Sequence, residues 1–208
     1  MLIAIIGAGQ VGKALGAGWG KAGHSVRYGV RDPKNPKYAS LGAQWLSTPA
    51  EAAKLSEVVV LATPWNATLE TVKSLGNLGG KVVLDCTNPL EVGTDGLGLA
   101  FGFSTSAGEK VAEAAPGASV FKTLNTTGAE NMTNAKAFSP APAMFAAGDD
   151  ATKKPIVLGL LHDLGFEGID AGPLRNARLL EANAMLWIDL CMKRGQGRNF
   201  AFALARRS

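Results

Sequence analysis

Leu2-Ile3-Ala4-Ile5-Ile6-Gly7-Ala8-Gly9-Gln10-Val11-Gly12 is an apolar run that enters a glycine-rich turn, and Lys13 to Ala22 continues it as a helical stretch. The G-x-G-x-x-G spacing takes its meaning from that context, a strand before it and a helix after it. Gly7 permits the tight turn out of the strand. Gly9 lets the backbone approach a pyrophosphate with no side chain between them, and Gly12 lets the helix pack close to the sheet. The unpaired N–H groups of the helix's first turn then face the phosphates. A chain with 26 glycines can produce this spacing as a plain turn. Its place at residue 7, between strand and helix, makes it a dinucleotide-binding loop, with Gly7, Ala8, Gly9, Gln10, Val11 and Gly12 as the candidate cofactor-binding residues.

The second strand, Ser25 to Val30, decides which dinucleotide. An NAD site carries an acid at this strand's end to take the ribose hydroxyls. Here the end reads Gly29-Val30-Arg31, and a guanidinium pairs a phosphate dianion through two parallel hydrogen bonds where a carboxylate would repel it. Asp32 could serve as the ribose acid, but Asp32-Pro33 also reads as a cap followed by a turn proline, which accounts for it without a ligand. Val30 and Arg31 therefore join the cofactor site, and NADP(H) is the expected cofactor.

Composition bounds the rest. The 208 residues, 47% of them hydrophobic, suffice for one core with an appendage. The net charge of +4 suits a phosphorylated ligand as well as nucleic acid. No RRM, zinc or helix-turn-helix pattern supports the latter, so no nucleic-acid partner is expected. The two cysteines, Cys86 and Cys191, form no C-x-x-C pair and read as reduced thiols. The N-terminus shows no basic segment ahead of its apolar run, so no secretory signal or membrane partner is expected, and the expected location is cytoplasmic.

Strands and helices then alternate as in a parallel sheet with helices on both faces. Thr48-Pro49-Ala50-Glu51 reads as a capping box with proline at the first helical position. Glu57 to Leu61 is the next strand, ending in Ala62-Thr63-Pro64-Trp65 before a helix to about Leu75, and Lys81 to Asp85 is another, ending in Thr87-Asn88-Pro89. Residues 90 to 108 lack periodicity and read as a long loop. A helix near Glu109 to Ala115, strands at Ser119 to Leu124 and Ala143 to Ala147, a helix starting near Asp149-Asp150 and a strand at Phe166 to Asp170 follow. The fold class is α/β: a Rossmann-type, doubly wound, mostly parallel sheet with a small C-terminal helical part. Residues 1–170 form the nucleotide-binding domain and 171–208 a helical extension.

In such a fold chemistry lies outside the carboxyl ends of the strands. The residues there are Thr63-Pro64-Trp65, Asn88-Pro89 and Asn125-Thr126-Thr127, none a strong acid or base. His24 and His162 read as capping or packing residues without a metal partner at ligand spacing. Asp85 reads as bonding the loop after its own strand, and Cys86 as packing. No catalytic residue and no metal site are expected. Ketone reduction needs a proton donor such as Tyr, Lys or His, whereas a redox ring stabilises the hydride's charge itself. The two tyrosines, Tyr28 and Tyr38, read as lying on the ribose side of the cofactor. Asp170 to Glu181 ends a strand and starts a helix running to about Arg194. Its stretch from Ala184 to Met192 is apolar on nearly every side, so it is either inserted in the core or shared in a homodimer.

The segments Gly7 to Gly12, Ala22-Gly23-His24, Gly29-Val30-Arg31, Thr63-Pro64-Trp65 and Asp170 to Glu181 together resemble the family of NADP oxidoreductases dependent on the deazaflavin coenzyme F420. The resemblance covers almost the whole chain, and Asp170 to Glu181 is its most specific part. It implies hydride exchange between NADPH and the deazaflavin C5 across a cleft between the nucleotide domain and the C-terminal part. It also implies that Ala8 to Val11 and Arg31 meet the pyrophosphate and 2′-phosphate, with Thr63 and Pro64 near the nicotinamide half. From their place at the strand ends, Trp65, Asn88, Asn125 and Thr126 are the candidate acceptor-cleft residues. Val30 departs from the serine frequent in the family and removes one phosphate hydrogen bond. Thr87-Asn88-Pro89 and Leu124-Asn125-Thr126 are similar to bacterial relatives whose acceptor is not assigned and to the reductase domain of the STEAP metalloreductases, which work with a flavin. Three readings stand: an NADPH:deazaflavin or flavin oxidoreductase with a small-molecule redox acceptor, a reductase of a small imine or carbonyl, and a non-catalytic NADP(H) sensor.

Overall fold

Alternation within each strand builds a core on both sides of the sheet. The computed structural model describes residues 1–133 and 135–207. In β1 (Leu2–Ile6), Ile3 and Ile5 join one buried cluster while Ala4 and Ile6 join another. β4 (Val58–Leu61) divides its residues in the same way, Val58 and Val60 to the first cluster and Val59 and Leu61 to the second. A strand buried on both faces is what a parallel sheet sandwiched between helices demands. α1 (Gln10–Lys21), α5 (Ala129–Thr133) and α6 (Lys154–Asp163) supply side chains to the first cluster. α2 (Pro49–Leu55), α3 (Trp65–Ser74) and α4 (Ala107–Ala114) supply the second.

With β2 (Ser25–Gly29), β3 (Leu46–Ser47), β5 (Val82–Asp85), β8 (Ser119–Lys122), β9 (Ala143–Gly148) and β10 (Glu167–Asp170), the sheet runs β3-β2-β1-β4-β5-β8-β9-β10. Its first six strands are parallel in the doubly wound order, and β9 turns antiparallel to β8 while pairing in parallel with β10. The order reverses between β1 and β4, where such folds open a crevice. This is the Rossmann-type α/β fold read from the sequence.

Several local readings are corrected. Residues 90–108 are not a plain loop: β6 (Leu90–Gly93) and β7 (Gly96–Leu99) form an antiparallel hairpin, and α4 begins at Ala107. The hairpin's signal is Asp95-Gly96, with Gly96 at φ +97° where a side chain would be strained. α6 begins at Lys154 rather than at Asp149-Asp150. There the Asp150 carboxylate accepts from Thr152 N, Thr152 Oγ1 and Lys153 N, closing a turn ahead of the helix. Tyr28 does not face a ribose. It is buried against α1, so close that a Cβ on Gly16 would stand 2.0 Å from its hydroxyl.

α7 (Ala177–Met192) follows a 3-10 turn at Leu174–Asn176. It is not enclosed on every side: Leu180, Glu181, Ala184 and Trp187 face inward, while Leu179, Leu186 and Met192 are exposed. The following segment is strapped back onto the body. Asn131 Nδ2 donates to the Arg198 and Phe200 carbonyls, and Trp187 stacks on Phe200 at 5.1 Å between ring centres.

Candidate functional site

The loop after β1 has the geometry that its glycines imply. Gly7 has φ +106°, and a Cβ there would lie 2.5 Å from the Ala62 carbonyl oxygen. A Cβ on Gly12 would lie 2.0 Å from the Gly7 carbonyl oxygen, so the start of α1 closes on the loop only with glycine. Gly9, by contrast, has nothing within 4 Å of a notional Cβ: its missing side chain leaves open space, not packing room. It is the N-cap of α1 and offers no side-chain hydrogen bond to the helix's first turn. Gln10, Val11 and Gly12 form that turn, three residues earlier than the sequence suggested, and their N–H groups precede the first intrahelical bond, Lys13 N to Gly9 O at 3.0 Å.

At the carboxyl ends of β1, β2 and β4 lies a cavity of about 720 Å³. Of the predicted cofactor residues Gly7, Ala8, Gly9, Val30, Arg31, Thr63 and Pro64 line it, with Tyr38 beside them, while Gln10, Val11 and Gly12 do not. Arg31 is exposed and forms no ion pair among the described residues. Asp32 accepts from Lys34 N at 3.1 Å and its carbonyl from Asn35 N, the turn role read from Asp-Pro. The cavity's acidic lining residue, Glu70, is paired with Lys73 at 2.8 Å. Thr63 is fixed by a 2.9 Å hydrogen bond with the buried hydroxyl of Thr68, which itself donates to the Pro64 carbonyl.

Farther along the sheet, the ends of β5 and β8 bring Asn88 and Asn125 together. Asn88 Nδ2 donates to the Asn125 carbonyl at 2.9 Å, and Asn125 Nδ2 donates to Asn88 Oδ1 at 3.0 Å and to the Leu180 carbonyl of α7 at 3.1 Å. All the partners of Asn125 Nδ2 are acceptors, which fixes the amide's orientation and leaves its Oδ1 buried without a partner. Leu124, fully buried, sits at φ +58°, a conformation that strains a leucine by about 1–2 kcal/mol. Thr126 Oγ1 donates weakly to the Met144 sulfur at 3.6 Å. Trp65 opens α3 and packs edge-on against Phe101, 5.6 Å between centres.

The sequence reading missed the partner of Asp85, a lysine at the end of the neighbouring strand. Asp85 and Lys122 are register partners on β5 and β8, fully buried, with Lys122 Nζ 2.7 Å from Asp85 Oδ2. Lys122 also contacts Glu181 Oε1 at 3.0 Å and donates to the Thr87 carbonyl at 2.7 Å. Burial depresses the ammonium's pKa, but the Coulombic pull of Asp85 and Glu181 and hydrogen bonds to both outweigh it and hold the pKa above its ordinary value. Asp85 does bond its own loop as read from sequence, taking Thr87 N at 2.9 Å and Thr87 Oγ1 at 2.7 Å. Cys86 is buried, and desolvation, reinforced by the Asp85 charge, pushes its thiol pKa up, away from nucleophilic use. His24 pairs with Asp163 at 2.9 Å as a packing residue. Among the described residues no three His, Cys, Asp or Glu side chains are grouped to hold a metal ion, and no helix is long and apolar enough to cross a membrane.

Comparison with known proteins adds four findings. A family model described as NADP oxidoreductase, coenzyme F420-dependent, matches residues 2–89. The chain is 30% identical over 151 residues, 69% of its length and 66% of the relative's, to an F420-dependent NADP reductase of Methanocaldococcus jannaschii, so that alignment spans about two thirds of that protein. It is 28% identical over 218 residues, 93% of each chain, to an F420-dependent NADP reductase of Methanothermobacter marburgensis. A crystal structure from Arthrobacter sp. FB24, bearing the provisional name F420-dependent NADP-reductase, matches 98% of this chain and 99% of its own at 32% identity with a TM-score of 0.88.

Proposed function

The chain belongs to the family of coenzyme F420-dependent NADP oxidoreductases and is an NADPH-dependent oxidoreductase, and from that premise we propose that it moves a hydride between NADPH and a deazaflavin or flavin ring. The observation that carries the acceptor assignment is the state of the charged groups at the strand ends. Asp85 and Lys122 are wholly buried and spent on each other, Glu181 and Thr87, so neither reaches a substrate as acid or base. A ring that delocalises the incoming charge needs none.

The residues present fit an NADP(H) molecule. The open space at Gly9, the uncapped first turn of α1 and the unpaired Arg31 suit a pyrophosphate and a 2′-phosphate, and Asp32 is spent on its own turn. Bound there, NADPH supplies the hydride. The chain's share is orientation and the exclusion of water: Thr63 and Pro64, fixed by Thr68, form the near wall of the nicotinamide half, and the interlocked Asn88 and Asn125, with Thr126, form the acceptor side. Positioning of this kind supplies on the order of 7–11 kcal/mol in well-oriented reactions. In this reading residues 1–170 hold the nucleotide and 171–208 close the acceptor side and carry a dimer contact.

The test is turnover with NADPH deuterated at the transferred position, against a panel of deazaflavins, flavins, imines and carbonyls. With a deazaflavin, whose C5 keeps its hydrogen, deuterium is expected in the reduced ring. Turnover confined to imines or carbonyls would put a small-substrate reductase in its place, and binding of NADPH without any turnover would leave a nucleotide sensor.

A further inference from the structure

The Lys122 cluster ties four elements into one arrangement, and its composition is informative. The ammonium has three protons and three acceptors: Asp85 Oδ2 on β5, the Thr87 carbonyl in the loop beyond it, and Glu181 Oε1 on α7. Glu181 in turn takes Ala107 N at 3.0 Å and Gly108 N at 3.1 Å, the first N–H groups of α4, so the second carboxylate of the cluster is balanced by the positive end of that helix. Every charge is matched, yet an apolar trio of similar volume would stabilise the fold as well or better, because three ionised groups must first be stripped of water. What such a trio would not supply is a single registration. The three acceptors of one ammonium fix where α7 lies over the ends of β5 and β8, and Asn125, three residues beyond Lys122, repeats the attachment through the Leu180 carbonyl beside Glu181.

We propose that Lys122 is the positioning residue of the acceptor side, setting the Thr87-Asn88 turn and the Leu180-Glu181 turn of α7 at the spacing that hydride transfer requires. This rests on the hydride-transfer reading above. The cluster stands at the ends of β5 and β8, whereas the phosphate loop and Arg31 stand at the ends of β1 and β2, so the two halves of the site are separable by substitution.

Lys122→Met alone leaves two buried carboxylates opposed and is expected to unfold the protein. The decisive variant is therefore Asp85→Asn/Lys122→Met/Glu181→Gln, which buries no charge. This triple variant is expected to fold and to bind NADPH as the wild type does. Its single-turnover hydride transfer to the deazaflavin should fall on the order of tenfold to a hundredfold and the acceptor KM should rise. Native-state hydrogen exchange should speed up at residues 85–89 and 177–184 and stay unchanged at 7–12. Wild-type transfer rate and KM in the folded triple variant, unchanged exchange at those two segments, or a matching loss of NADPH affinity would each overturn the proposal. If the wild-type protein itself fails to reduce any deazaflavin or flavin, the functional reading falls, and the exchange measurement still decides whether Lys122 holds the two turns in place.

Discussion

Arg31 is one exposed guanidinium at the mouth of the nucleotide cavity, with no partner among the described residues and a phosphate-sized task. A charge-assisted pair with the 2′-phosphate contributes about 1–3 kcal/mol, so Arg31→Ala is expected to weaken NADPH binding roughly tenfold to a hundredfold while leaving NADH binding nearly as it was. Fluorescence titration of both nucleotides checks it, and equal wild-type affinity for the two would remove Arg31 from the site. The three loop glycines were legible in sequence because what they do follows from local backbone geometry: a turn, open space, a close contact. Lys122 was not. In sequence it falls inside the strand read from Ser119 to Leu124, and its partners Asp85 and Glu181 lie far away in the chain, joined only by folding. The signal available was that Asp85 and Lys122 both end short apolar strands, which places them side by side once β5 and β8 are paired in parallel.

Between residue and element stands the turn that opens α6. Its Asp150 carboxylate accepts from Ser119 Oγ at 2.6 Å as well as from Thr152, and so ties the helix to the start of β8. These hydrogen bonds, that from Ser119 foremost, lower its pKa from 3.8 to about 2. A folded-state pKa below the unfolded one stabilises the fold fully above the unfolded value and loses that contribution as pH falls through the folded one. The stability advantage of the wild type over Asp150→Asn is therefore expected to hold from neutral pH to about pH 4 and to shrink between there and pH 2. Urea unfolding of the two proteins across that range measures it, and an advantage independent of pH would show that the carboxylate's charge is not what the turn uses. The same carboxylate explains a misplaced boundary. Acidic residues before an apolar run mark a helix start, but here Asp150 spends its oxygens on a turn, and the helix waits until Lys154. The continuous apolar runs of β1 and β4, the helix after the glycine-rich turn and the capped α2 lay where pattern and caps placed them, give or take a turn. The β6–β7 hairpin escaped although Leu90 and Val92 alternate, as do Leu97 and Leu99, because each strand is only four residues long and half of the second is glycine.

For the whole molecule, the unfinished surface is the outer face of α7. Leu179 is 67% exposed, Leu186 53% and Met192 68%, and the first two stand seven residues apart on one stripe of the helix. Phe103, 99% exposed, lies beside that stripe, since Arg178 of α7 donates to its carbonyl at 2.9 Å. The inward face of the same helix is already committed through Leu180, Ala184 and Trp187, so the apolar character that the sequence shows along this stretch has two destinations, of which the chain itself satisfies one. Isolated exposed leucines are ordinary, but two on one stripe of a helix beside an exposed phenylalanine make the kind of surface that subunit contacts use. A two-fold axis lets one such stripe cover another copy of itself, and a stable pair needs about 800 Å² from each partner, which the stripe, Phe103 and their polar rim can supply together. We therefore expect a homodimer, with a scattering mass twice the chain's 21.5 kDa at micromolar concentration. Leu179→Lys/Leu186→Lys should return it to the monomer while leaving NADPH affinity as it was, because neither leucine lines the nucleotide cavity. A monomeric wild type at that concentration would mean that the stripe stays in water, and a dimer that survives both lysines would place the interface elsewhere on the molecule.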